Sequence, residues 1–441
     1  MLQLGGECHP LRQGEAVCGI EGGTVRPYKG RSVMDNSAMQ RTDVMIAGGG
    51  VTGLTLALLL KRALGGTLRV TLCDPMIKAA PTDDDRAFAL AADGRRLFNR
   101  LGIWPMIAEA CQPITEMVIT DSRLDDPVRP VFLTFGGEVE PGESFAHMVP
   151  QGLLIEKLLF AADQAGVQLI SDRVKRFKAD GSSVAVMLAG GDEMKAGLLV
   201  GSDGGQSAIR ELAGISFYQW SYKQAGIVMT IGHERPHDGQ AEEHFLPAGP
   251  FARLPLTGNR SSLVWTEAQD RVDSLLDRSD AALIEQIERR AGLKLGVLSL
   301  LSRPRAYPLN FGIARRFIGE RLALVGDAAH MVHPIAGQGL NIGLRDVAVL
   351  AERIIEAAGL GLDIGTVTVL DAYEKARRFD AVLFGAVTDG LNRLFSNDHL
   401  TVRLARDLGL GIVDRMGPLK KRMIRRAAGI ETATPRRMRC L

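Results

Sequence analysis

Asp327 and the glycines around it are the residues of this chain best placed to do chemistry. An apolar run, Leu322–Val325, reads as a buried parallel strand, and Gly326-Asp327 sets an acid at its carboxyl end. Pro334 follows, then Gly337-Gln338-Gly339-Leu340-Asn341 and a helical stretch. In open α/β sheets, ligands gather at the carboxyl ends of strands. A glycine-rich helix opening turns bare N–H groups toward an anionic or electron-rich ligand. Asp327 therefore stands where a ligand is expected. It can also cap the turn that follows it, and the two roles are compatible.

A matching loop lies far upstream. Gly48-x-Gly50-x-x-Gly53 sits between a strand-like run, Val44–Ala47, and a Leu/Ala-rich helix, Leu54–Leu64. In a dinucleotide-binding turn Gly48 would give the tight turn, Gly50 the close approach to a pyrophosphate, and Gly53 the close helix–strand packing. The next strand, Leu68–Cys73, ends at Asp74, 21 residues after Gly53. That is the spacing at which an acid meets an adenosine ribose hydroxyl. One large ligand held from both ends is the expectation.

A third box, Leu198-Leu-Val-Gly-Ser-Asp203-Gly204-Gly-Gln-Ser207-Ala-Ile-Arg210, is again a short apolar strand ending in Gly and Asp before a helix. In order, the three boxes resemble the glycine fingerprint, Asp-Gly box and Gly-Asp box of flavoprotein aromatic hydroxylases. The closest match is Gly326-Asp327-Ala-Ala-His330 with His333-Pro334-x-x-Gly337-Gln338-Gly339-Leu340-Asn341. Within that group the chain is similar to the ubiquinone-biosynthesis hydroxylases, the 2-polyprenyl-6-methoxyphenol hydroxylase type. Arg86-Ala-Phe-Ala-Leu, Leu101-Gly-Ile-Trp104, Gly249-Pro-Phe-Ala-Arg-Leu-Pro255-Leu, Ser262-Leu-Val-Trp265, Tyr307-Pro-Leu and Thr388–Asn397 carry this narrower likeness, which runs from about residue 43 to about residue 429.

The resemblance implies an FAD-dependent monooxygenase. A nicotinamide, NAD(P)H, or another donor would reduce the flavin. Dioxygen would be held as a flavin C4a-hydroperoxide, and its distal oxygen passed to the ring of a polyprenylated phenol. It places Asp327, after Gly326, on the ribityl chain, and aims the helix opening at Gly339, Leu340 and Asn341 at the flavin N1–C2=O edge. Pro334, Gly337, Gln338 and Gly339 would form the flavin-facing loop, with no acid or base assigned. Arg86 is implied on the pyrophosphate, where a bidentate donor suits, with Asp203 and Gly204 facing it too. Arg210 either pairs with Asp203 or rests on the helix face. At Val149-Pro150-Gln151 the chain departs from the subfamily, which has an acid–Asn pair. Gln151 can still donate to the adenosine side, but Pro150 removes one backbone donor. Phe245, Trp265, Thr266 and Tyr307 are candidates for the substrate wall, although aromatic residues on strands are usually core. Two other readings stay open: a flavin hydroxylase of another aromatic or polyketide, and a non-catalytic flavin-bearing subunit of a biosynthetic complex.

The rest of the chain bounds these readings. At 441 residues, 46% hydrophobic and 24% charged, it has room for two domains and a large core. A net charge of +2 and 5% aromatic residues argue against nucleic acid as a partner. Cys8, Cys18, Cys73, Cys111 and Cys440 fit no zinc or redox spacing, and a reducing, cytoplasmic compartment is the simplest expectation. His330 and His333 have no third ligand cluster, so no metal is expected.

The expected fold is α/β: a doubly wound, Rossmann-like FAD-binding domain, an inserted antiparallel β-sheet substrate domain and a C-terminal helical segment. Residues 41–112, 146–214 and 306–365 would build the first, and 113–145 and 215–305 the second. Residues 366–441 would form helices (Leu370–Ala386, Thr401–Met416, Lys420–Ala428) with a basic tail. Residues 1–40 have no apolar h-region and read as a disordered or mis-called leader, with Met34 or Met39 as a start. No window has the apolar length of a membrane span. The run Arg415–Arg426 mixes basic and apolar residues, so peripheral contact with the inner face of the cytoplasmic membrane, or with partner proteins of a ubiquinone-biosynthesis complex, is expected.

Overall fold

The computed structural model describes residues 40–78, 86–121, 124, 131–136, 138–332 and 337–395. Leader residues 1–39, Pro334 and the expected helices Thr401–Met416 and Lys420–Ala428 lie outside them.

Five parallel strands form the heart of an eight-stranded sheet among the described residues. In spatial order they are Gln168–Ile170, Val70–Cys73, Gln40–Ala47, Glu193–Gly201 and Leu322–Leu324. The apolar runs near the ends of the two longest of them, Val44–Ala47 and Leu198–Val200, suit strands covered on both faces; Val44, Met45, Ile46, Leu72, Leu199 and Leu324 have no exposed surface. Helix Val51–Leu64 packs beside helices Gln151–Gln164 and Gly339–Gly359. It is apolar on nearly every side because it lies between neighbours. The carboxyl ends of Gln40–Ala47, Val70–Cys73, Glu193–Gly201 and Leu322–Leu324 all point the same way, which brings the three glycine-containing boxes to one edge of the sheet.

A second sheet has nine strands among the described residues. It is antiparallel except where Gln240–Leu246 runs parallel to Glu116–Asp121. Its register sets Phe251 opposite Trp265, and Trp265 opposite Ile227. These side chains join Leu283 and Ile287 of helix Asp280–Ala291 in one core. The other face offers Ala241, Leu254 and Leu256 to a small sheet in which Ala87–Ala91 and Ala146–Pro150 pair, through Ala87, Ala89 and Met148.

Three elements differ from the sequence-based expectation. Strand Arg305–Ala314, of which residues 306–314 fall in the expected cofactor part, pairs instead along the 17-residue strand Phe217–His233 of the antiparallel sheet. The stretch 275–293, which looks helical in the sequence, is divided between two helices, Val272–Leu276 and Asp280–Ala291, because the Ser279 hydroxyl accepts the Ala282 N–H (3.4 Å) and starts a new helix. The helix expected to stop at Ala386 runs unbroken over Val367–Phe395. Gly385 is tolerated because a Cβ there would come within 2.5 Å of the Phe311 ring, so its smallness lets the helix approach the sheet.

Candidate functional site

The upstream glycines divide into two kinds. Gly48 has φ +117°, and a Cβ on it would lie 2.2 Å from the Ser202 carbonyl oxygen. A Cβ on Gly53 would lie 2.0 Å from the Gly48 oxygen. Both positions are closed by backbone, as a tight turn and a helix–strand contact require. Gly50 differs, since a Cβ there meets nothing within 4 Å. It precedes helix Val51–Leu64, whose first turn has neither a side-chain cap nor an acid. Its first N–H groups therefore face open space with the positive end of the helix dipole. Asp74 stands beside them, its Oδ2 accepting the Gly49 N–H (2.7 Å) and its Oδ1 the Met76 N–H (2.7 Å). A carboxylate has about four acceptor sites, so capacity remains for ligand hydroxyls.

The downstream box has the same design. Gly326, at φ +61°, turns the chain out of strand Leu322–Leu324 into a single 3-10 turn, Gly326–Ala328. Asp327 projects from this turn, exposed and without a hydrogen bond to the described residues. It is not open to bulk water, however. Surrounding protein lifts its carboxyl above the ordinary range; His330 opposes that shift and Asp346 adds to it. An exposed acid with a raised pKa lies in a recess. Gly337 also has positive φ (+61°), and a Cβ there would press on Ala89 at 3.0 Å. Gln338 precedes helix Gly339–Gly359 without a side-chain cap, no acid occupies the first turn, and a Cβ on Gly339 meets nothing within 4 Å. Asn341 does not reach outward. Its amide donates to the Ala89 oxygen (2.9 Å), its oxygen accepts the Ala91 N–H (2.9 Å), and it is 1% exposed. It fastens the helix opening to strand Ala87–Ala91. Leu340, half-buried, packs against the main core.

Asp203 is turned inward as well. It accepts the Ser207 hydroxyl (2.6 Å) and the Ile209 N–H (3.1 Å), and so starts helix Ala208–Leu212. Gly204, at φ +82°, faces open space. Arg210 follows neither expected course. Buried against the Phe217 ring at 3.8 Å, it donates to the Ala328 oxygen (2.9 Å) and the Gly205 oxygen (2.9 Å), joining two boxes. Arg86 lies 5.5 Å from the Tyr307 ring centre, where the first part of the molecule meets the antiparallel sheet. Its carbonyl accepts the Gln151 N–H (2.9 Å), so Gln151 opens its helix beside Arg86.

Sequence reasoning missed the support behind the Gly-Asp turn. Asp346 is completely buried. Its Oδ2 accepts the Gly326 N–H (3.1 Å) and lies 2.6 Å from His330 Nε2, while its Oδ1 accepts Arg377 Nε–H (2.8 Å). Burial alone would raise its pKa, but His330 and Arg377 outweigh that and hold it below the ordinary range. Tyr373 adds a bond from its hydroxyl to the Leu324 oxygen (2.6 Å). The signal was an acid in the apolar stripe of a helix, four residues after Ile342 and four before Leu350. Of the substrate-wall candidates, Trp265 is core, 1% exposed under Arg290 at 3.9 Å. Phe245 and Thr266 are buried, and Tyr307 is 36% exposed.

Two uncapped helix openings, three glycines facing open space and a recessed acid with no hydrogen-bond partner among the described residues, all at one sheet edge, fit an elongated ligand with phosphate and polyol parts. Comparison with known proteins agrees. A family profile described as FAD binding domain matches residues 41–382. Ubiquinone hydroxylase UbiL of Rhodospirillum rubrum is 43% identical over 405 residues, covering 91% of this chain and 93% of its own. The 3-demethoxyubiquinol 3-hydroxylase of Escherichia coli is 29% identical, covering 89% and 99%. Among solved structures, p-nitrophenol 4-monooxygenase PnpA from Pseudomonas putida DLL-E4 is similar with a TM-score of 0.71 at 19% identity, over 88% of this chain and 97% of its own. That likeness speaks to fold.

Proposed function

The chain belongs to the FAD-binding-domain family and its FAD-dependent monooxygenases, and from this we propose that it hydroxylates the aromatic ring of a polyprenylated phenol in ubiquinone biosynthesis. The observation that carries the substrate class is the likeness to a ubiquinone hydroxylase at 43% identity over 91% of this chain. FAD, when bound, supplies the redox and oxygen-transfer chemistry, with NAD(P)H as the expected reductant. What the chain supplies is binding, orientation and exclusion of water.

In this reading the opening of helix Val51–Leu64 donates N–H bonds to the pyrophosphate, which Gly50 admits. Asp74 accepts from the adenosine ribose while its own bonds to Gly49 and Met76 keep it in place. Arg86 and Gln151 close the phosphate and adenosine side, and Gly204 leaves room there. Asp327 accepts from the ribityl hydroxyls. Gly337, Gln338 and the opening of helix Gly339–Gly359 present donors to the electron-rich edge of the flavin ring, with Pro334 in the same loop. Asp203, Arg210 and Asn341 act one layer behind, fixing the turns that carry these donors. The antiparallel sheet forms the substrate side, with Tyr307 at its border.

No helix among the described residues is long and apolar enough to cross a membrane. A prenylated substrate is therefore collected at a lipid surface or from a partner protein, and the basic run Lys420–Arg426, outside the described residues, is the proposed contact. The test is twofold. Cells lacking the protein should accumulate a quinone precursor short of one hydroxyl, and purified protein should oxidise NAD(P)H faster when given that precursor. An unchanged quinone profile, or stimulation only by non-prenylated aromatics, would overturn the substrate assignment.

A further inference from the structure

Among the described residues, the Gly326–Ala328 turn makes no side-chain bond of its own that would fix Asp327. Its position is set from behind. Asp346 holds the Gly326 N–H, Arg210 holds the Ala328 carbonyl, and Asp346 is itself held by His330 and by Arg377. Arg377 is 3% exposed and uses its other arm on Asp380 (2.8 Å). Asp346 and Arg377 lie on different helices, Gly339–Gly359 and Val367–Phe395, and His330 on the short strand after the turn. Three separate elements thus converge on one backbone N–H. A buried charged group of this kind is a costly way to gain stability, because hydrophobic residues of equal volume usually serve as well or better. Its geometry gives it another use. The carboxylate of Asp346 fixes both the N–H that opens the turn and the imidazole that closes it, which leaves the Asp327 backbone one orientation.

We propose that Asp346 and Arg377 are positioning residues for the cofactor: they act through the Gly326–Ala328 turn to place the Asp327 carboxylate on the ribityl chain. This rests on the FAD-binding role assigned to Asp327, and the test separates the two. FAD affinity of cofactor-stripped protein is measured by equilibrium titration for the wild type, Arg377→Lys, Asp327→Ala and the double variant, with thermal melting of each apo form alongside. Arg377→Lys keeps the charge but replaces a two-armed donor by a point charge that can serve Asp346 or Asp380, not both. It should raise the FAD Kd by about tenfold, the scale of one charge-assisted bond misplaced. In the Asp327→Ala background the same change should alter Kd by less than about twofold, because the group it positions is gone.

A purely structural role would lower the apo melting temperature equally in both backgrounds and leave the two Kd effects multiplicative. Multiplicative effects, or a wild-type Kd for Arg377→Lys, overturn the proposal. His330→Asn gives a second cycle if Arg377→Lys does not fold, since its shorter side chain cannot place a donor where Nε2 stands 2.6 Å from Asp346, while the ion pair with Arg377 is left intact; a raised Kd that is lost in the Asp327→Ala background is expected again, and its absence is equally fatal. A wild-type protein that binds no FAD would instead sink the functional reading itself. Wild-type binding that falls in Asp327→Ala, with multiplicative cycles, would remove only this inference.

Discussion

Asp327→Asn should move stability and cofactor affinity in opposite directions. The cofactor-free protein holds this carboxyl in a recess with no hydrogen-bond partner among the described residues, and surrounding protein raises its pKa above the unfolded value of 3.8, with Asp346 adding to the shift. An acid whose pKa is higher in the folded state contributes stability that is complete below its unfolded pKa and is lost as pH rises through its folded pKa. At neutral pH the charge therefore costs the apo-protein stability, and Asn removes that cost at nearly constant volume. With FAD the balance reverses. A charge-assisted bond is worth about 1.5–3 kcal/mol and a neutral one about 0.5–1.5, so exchanging two ribityl bonds loses about 2 kcal/mol, or about thirtyfold in Kd. Apo-protein stripped of flavin would be melted at pH 7 and near pH 3.5, and titrated with FAD at pH 7. The expected result is a higher apo melting temperature for Asp327→Asn at pH 7, no difference near pH 3.5, and FAD binding weakened by about thirtyfold. A lower apo melting temperature at pH 7 would show that the acid is a structural cap. Unchanged affinity would show that it does not touch the cofactor.

Three further outcomes are expected. Gly50→Leu should fold and melt like the wild type yet carry no flavin absorbance, because its side chain enters open space in front of the helix, whereas Gly53→Ala should destabilise by about 3 kcal/mol or more in denaturant titration, its Cβ meeting the Gly48 oxygen at 2.0 Å. His147, pushed down from 6.5 to about 4 by burial and by Arg95, with Glu143 opposing, is neutral in the fold; stability should fall as pH drops from 6.5 toward 4, and His147→Phe, which keeps the edge contact with Trp104, should flatten that slope in denaturant titrations at each pH. Changing Lys420, Lys421, Arg422, Arg425 and Arg426 to Gln should abolish low-salt co-sedimentation with anionic liposomes without loss of FAD, since each charge is worth about 1 kcal/mol near such a surface; equal sedimentation of the variant would move the contact elsewhere.

The features legible in the sequence are those whose physics is local. The turn at Gly48, the close approach at Gly53 and an acid at the end of the next strand follow from spacing along one βα unit, and the structure brings Asp74 onto the Gly49 N–H. Gly326 and Gly337 likewise announce positive φ in their own neighbourhoods. What could not be read was the choice of partner for a polar side chain when several lie within reach after folding. Asn341 could have faced a ligand, yet two strand backbone groups 250 and 252 positions away claim it. Asp203 could have faced phosphate, yet it starts its own helix. Arg210 has Asp203 and its own helix face as local choices, yet one of its side-chain bonds reaches Ala328, 118 positions away. Trp265 stands on a strand whose two faces look alike in sequence, and only the pairing with Phe251 and Ile227 decides which one it shares with helix Asp280–Ala291.

The helix Val367–Phe395 has a mechanical consequence. Its 29 residues span about 43 Å at a rise of about 1.5 Å each. Near one end Tyr373 and Arg377 grip the Leu324 carbonyl and Asp346; near the other, the Asn392 amide donates to Gln224 (3.1 Å), whose own amide holds the Ala248 carbonyl at a hairpin of the antiparallel sheet (2.7 Å). A rod anchored on both sheets is a splint. It resists any clamshell opening that would swing one sheet from the other, since such a swing would have to bend the rod or break a buried bond at one end. Traffic of a bulky guest must then proceed by sidestepping, through rearrangement of individual side chains and loops along the seam where Arg86 meets Tyr307, while the two sheets keep their distance.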